Sequence, residues 1–166
     1  AAQFLRDVRI SPIYEGTNGI QAADLVTRKL GRDGGAAMQS LLGEVAGTVA
    51  AARASEDLDL QQVAAALGDA LAGLERSSAA ILEQLREATP AALAGAFDYM
   101  MQVGYVMGGW HLARSALVAS ARLDAGSDNP FYTGKIATAR YYAEQLLPRA
   151  SACGDIVCNG SVALQA

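Results

Sequence analysis

Val63-Ala64-Ala65-Ala66-Leu67-Gly68-Asp69-Ala70-Leu71-Ala72-Gly73-Leu74, continued by Ile81, Leu82 and Leu85, repeats large aliphatic residues at the spacing of one helical face. Residues three and four apart lie above one another on an α-helix, so this pattern reads as an amphipathic helix with its stripe turned inward. Alanine fills many of the remaining positions; it is the strongest helix former and lets neighbouring helices approach closely. Upstream, Met38, Leu41, Leu42, Val45, Val49 and Ala52 form another stripe, separated from the first by a break near 55–59. Downstream, Thr89-Pro90 marks a stop and a new start, with proline in a first turn and Thr89 as the cap. A third helix is expected from Ala91 to Leu123, containing Leu93, Phe97, Met100, Tyr105, Leu112 and Leu117. A fourth is expected from about Gly134 to Leu147, with Ile136, Ala139, Ala143, Leu146 and Leu147 inward and Pro148 as its stop. No element is assigned to 156–166. Strand alternation is nowhere sustained, so the expected fold class is all-α, an antiparallel helical bundle.

Composition agrees and narrows the functional classes. Hydrophobic residues make up 52% of the chain but aromatics only 6%, and only four prolines interrupt it. The net charge of −4, with lysines and arginines scattered singly or in pairs, argues against a nucleic-acid partner. No stretch of about 18 apolar residues is free of charge, so no membrane span is expected. Arg6, Asp7 and Arg9 near the amino end do not fit a signal peptide, and the missing initiator methionine suggests an excised piece of something longer. Cys153 and Cys158 have neither redox nor zinc-ligand spacing, and with a single histidine they read as reduced thiols of a cytoplasmic protein; no metal site is expected.

The amino-terminal segment differs from the bundle. Residues 1–10 look like the end of an amphipathic helix carrying Phe4, Leu5 and Val8, stopped by Ser11-Pro12. After a short loop, Thr17 or Asn18 can cap a helix to about Leu30, with Ile20, Ala23, Val26 or Thr27, and Leu30 at helical spacing. Asp24 and Arg28 fall together on a more polar face, and Gly31-Arg32-Asp33-Gly34-Gly35 ends the helix as the clearest linker signal. The loop itself sets the carboxylate of Glu15 beside Gly16, just ahead of a helix amino end. Gly16 lets a ligand approach the backbone, and N–H groups around Thr17, Asn18 and Gly19 suit a phosphate or carbonyl oxygen.

Arg6-Asp7-Val8-Arg9-Ile10, followed by Ile13-Tyr14-Glu15-Gly16-Thr17-Asn18-Gly19-Ile20-Gln21, resembles the signature near the carboxyl end of acyl-CoA dehydrogenases. Asn129-Pro130-Phe131-Tyr132-Thr133-Gly134-Lys135-Ile136-Ala137 and Arg140-Tyr141-Tyr142-Ala143-Glu144 resemble the extra helical domain appended to larger bacterial members. The resemblance implies two regions: 1–34, the tail of the catalytic bundle, and 35–166, an appended helical bundle. It implies that Glu15 takes the α-proton of an acyl thioester, giving the trans-2-enoyl-CoA, with Gly16 against the thioester. It also implies that Thr17, Asn18 and Gly19 contact FAD, that electrons pass to an electron-transfer flavoprotein, and that the parent is a homo-oligomer. A base of this kind needs a raised pKa; full burial shifts a carboxyl by about 3–5 units, which outweighs a helix end worth about 1 kcal/mol. Some branches of the family place the base on another helix, and Glu15 puts this chain with the majority.

The remaining residues carry blander expectations. Taken alone, Glu15 would be a solvated loop carboxylate, and Gln21 reads as structural or at a subunit contact. His111, beside Trp110, has no nucleophile arrangement and reads as a packed or interfacial histidine. Met100, Met101 and Met107 with Tyr99 and Tyr105 read as core, and Phe131-Tyr132 and Tyr141-Tyr142 as packing at bundle ends or against the parent's other domains. Gly16-Thr17-Asn18-Gly19 is no dinucleotide-binding fingerprint. The chain as given is expected to be too small to enclose FAD and to be inactive alone. Rival expectations are a non-catalytic module that extends an interface or covers the acyl entrance, and a degenerate flavoprotein. Residues 1–30, lacking bundle partners, are expected to fold back on 35–166, to pair between copies, or to be mobile.

Overall fold

The computed structural model describes residues 2–13 and 17–159, and among them all regular structure is helical. The helices are α1 (Ala2–Val8), α2 (Thr17–Asp24) running on through a π-helical turn (Leu25–Leu30), α3 (Ala36–Arg53), α4 (Leu58–Glu87), α5 (Thr89–Ala94), α6 (Ala96–Asp124), α7 (Pro130–Gln145) and α8 (Pro148–Asn159). Short connections turn successive long helices back on each other, so the fold is the expected all-α antiparallel bundle. The two longest, α4 and α6, lie side by side at its centre; α3 packs on α4, α7 on both, and α8 against both.

The core follows the stripes. Val63, Leu67, Leu71, Leu74 and Ile81 of α4 are buried, as are Leu42, Val45, Val49 and Ala52 of α3 and Ile136, Ala139 and Ala143 of α7. α6 contributes Tyr99, Val106, Trp110, Ala113, Ala116 and Ala119. The small residues bring α6 and its neighbours close, and each large side chain they admit adds about 1.5–3 kcal/mol when fully buried. Buried hydroxyls are paired: Ser78 donates to the Leu74 carbonyl at 2.8 Å and shares a 2.8 Å bond with the Tyr99 hydroxyl. Burial raises the Tyr99 pKa, an effect the Ser78 bond opposes. Asp57 caps α4 by accepting from the Asp59 N–H at 2.8 Å, and Asn129 caps α7 by accepting from Phe131 N–H at 3.0 Å. Arg140 ties α7 to α4 through Asp59 and also pairs with Glu144 at 2.8 Å.

Three expectations need correction. The third helix is interrupted at Gly95 into α5 and α6, and Thr89 is the first residue of α5, preceded by Ala88 at the cap position with no capping side chain. Leu93 and Phe97, beside that break, are largely exposed. The fourth helix begins earlier, at Pro130; it ends at Gln145, ahead of the expected stop at Pro148, which also opens a further helix, α8, whose Ala150, Gly154 and Val157 are buried. Proline suits a first helical turn because its missing N–H would have no partner there. Residues 160–166 lie outside the described residues.

Candidate functional site

The chemistry-bearing motif straddles the start of α2, and Glu15 and Gly16 lie outside the described residues. α2 begins at Thr17, so Thr17 and Asn18 occupy its first turn instead of preceding it, contrary to the capping expectation. Thr17 is half-buried, Asn18 and Gly19 are exposed, and a Cβ placed on Gly19 would meet nothing within 4 Å. The first four N–H groups of a helix have no acceptor within it, so this end is an approachable row of donors. Gln21 is exposed as well.

What holds this helix is its opposite face. Ala22, Val26 and Leu30, each four residues from the next, are buried against the bundle, with α6 the main partner. The expected stripe is therefore rotated: Ile20 is 69% exposed and Ala23 only half-buried. Beyond Asp24 the helix widens into the π turn, closed by the Gly31 N–H donating to the Val26 carbonyl at 3.1 Å. Thr27 donates its hydroxyl to the Ala23 carbonyl at 2.7 Å, and Arg28 pairs with Asp24 at 2.6 Å on the solvent face. That bond from Arg28 lowers the Asp24 pKa.

The segment Gly31–Gly35, read as a linker, is a tight turn. Gly34 and Gly35 have φ of 64° and 87°, which side-chain-bearing residues rarely adopt. A Cβ on Gly35 would lie 2.8 Å from Leu82 Cδ1, so the turn is packed on α4. Asp33 accepts from the N–H groups of Gly35 at 3.0 Å and Ala37 at 2.9 Å, fastening the turn to the start of α3. The Ala37 N–H is the main reason its carboxyl is held below the usual range.

Of the three outcomes expected for residues 1–30, folding back is realised by 17–30 and not by α1. Phe4, Leu5 and Val8 are 80%, 66% and 56% exposed, and Ile10 and Ile13 are also open. Ile20 of α2 is open as well, so several large apolar side chains of this segment face solvent.

Elsewhere, His111 is exposed, its ring 4.8 Å from that of Trp110, so of the two expectations, packed or interfacial, it is not packed inside. Trp110 donates to the Thr48 hydroxyl at 2.8 Å, and the Arg114 guanidinium lies 5.1 Å from its ring centre. Of the methionine and tyrosine stripe, Tyr99 is core and Met100, Met107 and Tyr105 pack against it. Phe131 and Tyr141 are mostly exposed, while Tyr142 donates to the Tyr105 carbonyl at 3.2 Å. Both cysteines are free. No described helix is long and apolar enough to cross a membrane, and the described residues hold no cluster of three metal-ligating side chains.

A family model described as "Acetyl-CoA dehydrogenase C-terminal like" matches residues 41–166. The chain belongs to the acyl-CoA dehydrogenase family. Among curated relatives it is 39% identical over 154 residues to a 3-methylmercaptopropionyl-CoA dehydrogenase of Ruegeria pomeroyi, covering 91% of this chain and 26% of the relative. It is 33% identical over 164 residues to the broad-specificity linear acyl-CoA dehydrogenase FadE5 of Mycobacterium tuberculosis, covering 93% and 26%. A butyryl-CoA dehydrogenase of Syntrophomonas wolfei is 33% identical over 156 residues, covering 89% and 24%. The chain thus spans about a quarter of the length of these relatives.

Proposed function

We propose that this chain is the carboxyl-terminal part of a flavin-dependent acyl-CoA dehydrogenase in which Glu15 is the base that removes the α-proton of an acyl-CoA. The observation that carries the reading is the motif Ile13-Tyr14-Glu15-Gly16-Thr17-Asn18-Gly19-Ile20-Gln21 set against a helix that starts at Thr17, two residues after the carboxylate. Glu15 takes the proton at a carboxylate oxygen, and Gly16 leaves room for the thioester against the backbone. The open first turn at Asn18 and Gly19 fits a cofactor held through backbone N–H groups, with Thr17 beside them. FAD, when bound, supplies the acceptor for the β-hydride.

Residues 1–34 are the tail of the catalytic bundle and 35–166 an appended helical domain; the family match over 41–166 supports that division. The seating of Ala22, Val26 and Leu30 supports a structural role for the appended domain, either extending an oligomer interface or covering the acyl entrance. The exposed side chains of Phe4, Leu5 and Val8 on α1 and of Ile20 on α2 are where the rest of the catalytic bundle packs. The complete enzyme is a cytoplasmic homo-oligomer that passes electrons to an electron-transfer flavoprotein.

Glu15→Gln in the full-length enzyme tests the assignment. Removing a general base should lower turnover of acyl-CoA by about 10²–10⁴-fold while the flavin spectrum is retained. Turnover within a few-fold of the unaltered enzyme would remove Glu15 from the chemistry, and absence of turnover in the unaltered enzyme would favour a degenerate flavoprotein. The 166-residue chain alone should be colourless and inactive; a stoichiometric flavin spectrum would contradict its incompleteness.

A further inference from the structure

α6 packs against both α3 and α7, while those two hardly touch each other. Between them runs an open groove of about 990 Å³, with α6 as its floor and α3 and α7 as its walls. Trp110, Arg114 and Val118 follow one another four residues apart along the floor, on one face of the helix. Val118 and, on the α7 wall, Phe131 are large apolar side chains left mostly exposed in this one groove. Apolar surface rimmed by polar residues marks a place where something docks.

The charges of the groove say what kind of occupant fits. Glu44 lines it from α3, Arg114 from the floor and Lys135 from α7, and none of the three makes an ion pair among the described residues. Each cation lies over an aromatic ring instead: Arg114 over Trp110, and Lys135 with its Nζ 5.3 Å from the centre of the Phe131 ring. Elsewhere on the surface opposite charges do pair, as Arg28 does with Asp24 and Arg140 with Glu144. A wholly acidic partner would be repelled by Glu44, and a wholly basic one by Lys135 and Arg114. The occupant must carry both signs, in an order complementary to this face. A second copy meets that condition by symmetry, because across a two-fold axis every contact between two positions occurs twice, once in each direction. Tryptophan, tyrosine, phenylalanine and arginine, all present here, are also the residues enriched where proteins meet.

We propose that the α3–α6–α7 groove is a self-complementary interface between two copies of this chain. The α7 wall of each copy seats in the groove of the other, with Phe131 against the other's Val118 and Lys135 beside the other's Glu44. The inference rests on the reading of 35–166 as a domain that extends an oligomer interface, and it names the face. The Glu15 assignment is independent of it.

Sedimentation equilibrium of the 166-residue chain should show a monomer–dimer equilibrium with a dissociation constant on the order of 0.1 mM, as suits a small interface. Glu44→Lys and Lys135→Glu should each weaken it by about tenfold, since symmetry applies the like-charge contact twice. Mixed in equal amounts, the two variants should dimerise again, because positions 44 and 135 then meet with opposite charge at both contacts. Val118→Asp, a change at an exposed floor position, should remove the dimer. A chain that stays monomeric to about 1 mM overturns the proposal. So does association indifferent to all three substitutions, which would assign it to another surface such as α1. Recovery in a Glu44→Lys, Lys135→Glu double variant without recovery in the mixture also overturns it, since the pair would then act within one chain. The unaltered chain and Val118→Asp decide the matter even if a charge reversal fails to fold, and none of these results alters the outcome of Glu15→Gln.

Discussion

Leu30→Ala is the substitution that best separates the motif helix from the bundle it sits on. Leu30 is 3% exposed, one helical step beyond fully buried Val26, at the point where the π turn meets the glycine turn. Truncating a buried leucine to alanine costs about 2–5 kcal/mol, from lost burial and the cavity left behind. At about 1.4 kcal/mol per factor of ten, the open form of 22–30 should become about 30- to 4,000-fold more populated. Backbone amide hydrogen exchange resolves this by residue, because local opening and global unfolding release different sets of amides. Amides of Val26 through Leu30 should exchange faster by that factor, while those around Leu67 of α4 and Val106 of α6 change far less. Two results refute the reasoning. Unchanged exchange at 26–30 would mean that Leu30 does not hold the helix. An equal acceleration in α4 and α6 would mean that the segment and the bundle unfold as one unit.

Gly35→Ala should destabilise the chain by more than about 1 kcal/mol, since φ is +87° there and the added methyl meets Leu82; a thermal melt at or above that of the unaltered chain would contradict the packed turn. Asp33 predicts a pH effect. Its folded pKa is lowered, chiefly by the Ala37 N–H, so its contribution is present above the unfolded value of about 3.9 and is lost as pH falls through the lower folded value. Carboxyl titration by NMR should place Asp33 below that reference, and the amide of Ala37 should lose exchange protection only in acid; a reference-like titration would remove Asp33 as the fastening of α3.

The helices that the sequence made legible are those with large aliphatic stripes. α3 and α4 could be read because leucine, valine and isoleucine recur where only one face can be buried, and the inner face of α7 because Ile136, Ala139 and Ala143 keep the same spacing. α8 could not, because its buried positions are Ala150, Gly154 and Val157, two of them too small to stand out from the alanine-rich background. Gly95 was hidden for a related reason: alanine on both sides continues the helical propensity across the break. Around the motif, the residue types were readable but not the face. Ile20 and Val26 are both apolar, and which is buried depends on the surface present to receive it. Gln102 was overlooked although its signal is in the sequence, a polar residue three positions after Tyr99 and four before Val106. Periodicity ranks it as core, and only its environment reveals that neither end of its amide has a partner among the described residues.

The packed turn at Gly31–Gly35 bears on how this polypeptide can be divided. Its composition invites a cut there, as at any glycine-rich junction. Yet Leu30 and Val26 on one side share their burial with Leu82, Leu85 and Leu42 on the other. Expression of 35–166 alone would strip that greasy seat of its occupant, and grafting another protein onto residue 35 would have to supply one. A boundary placed before Thr17 keeps lock and key together.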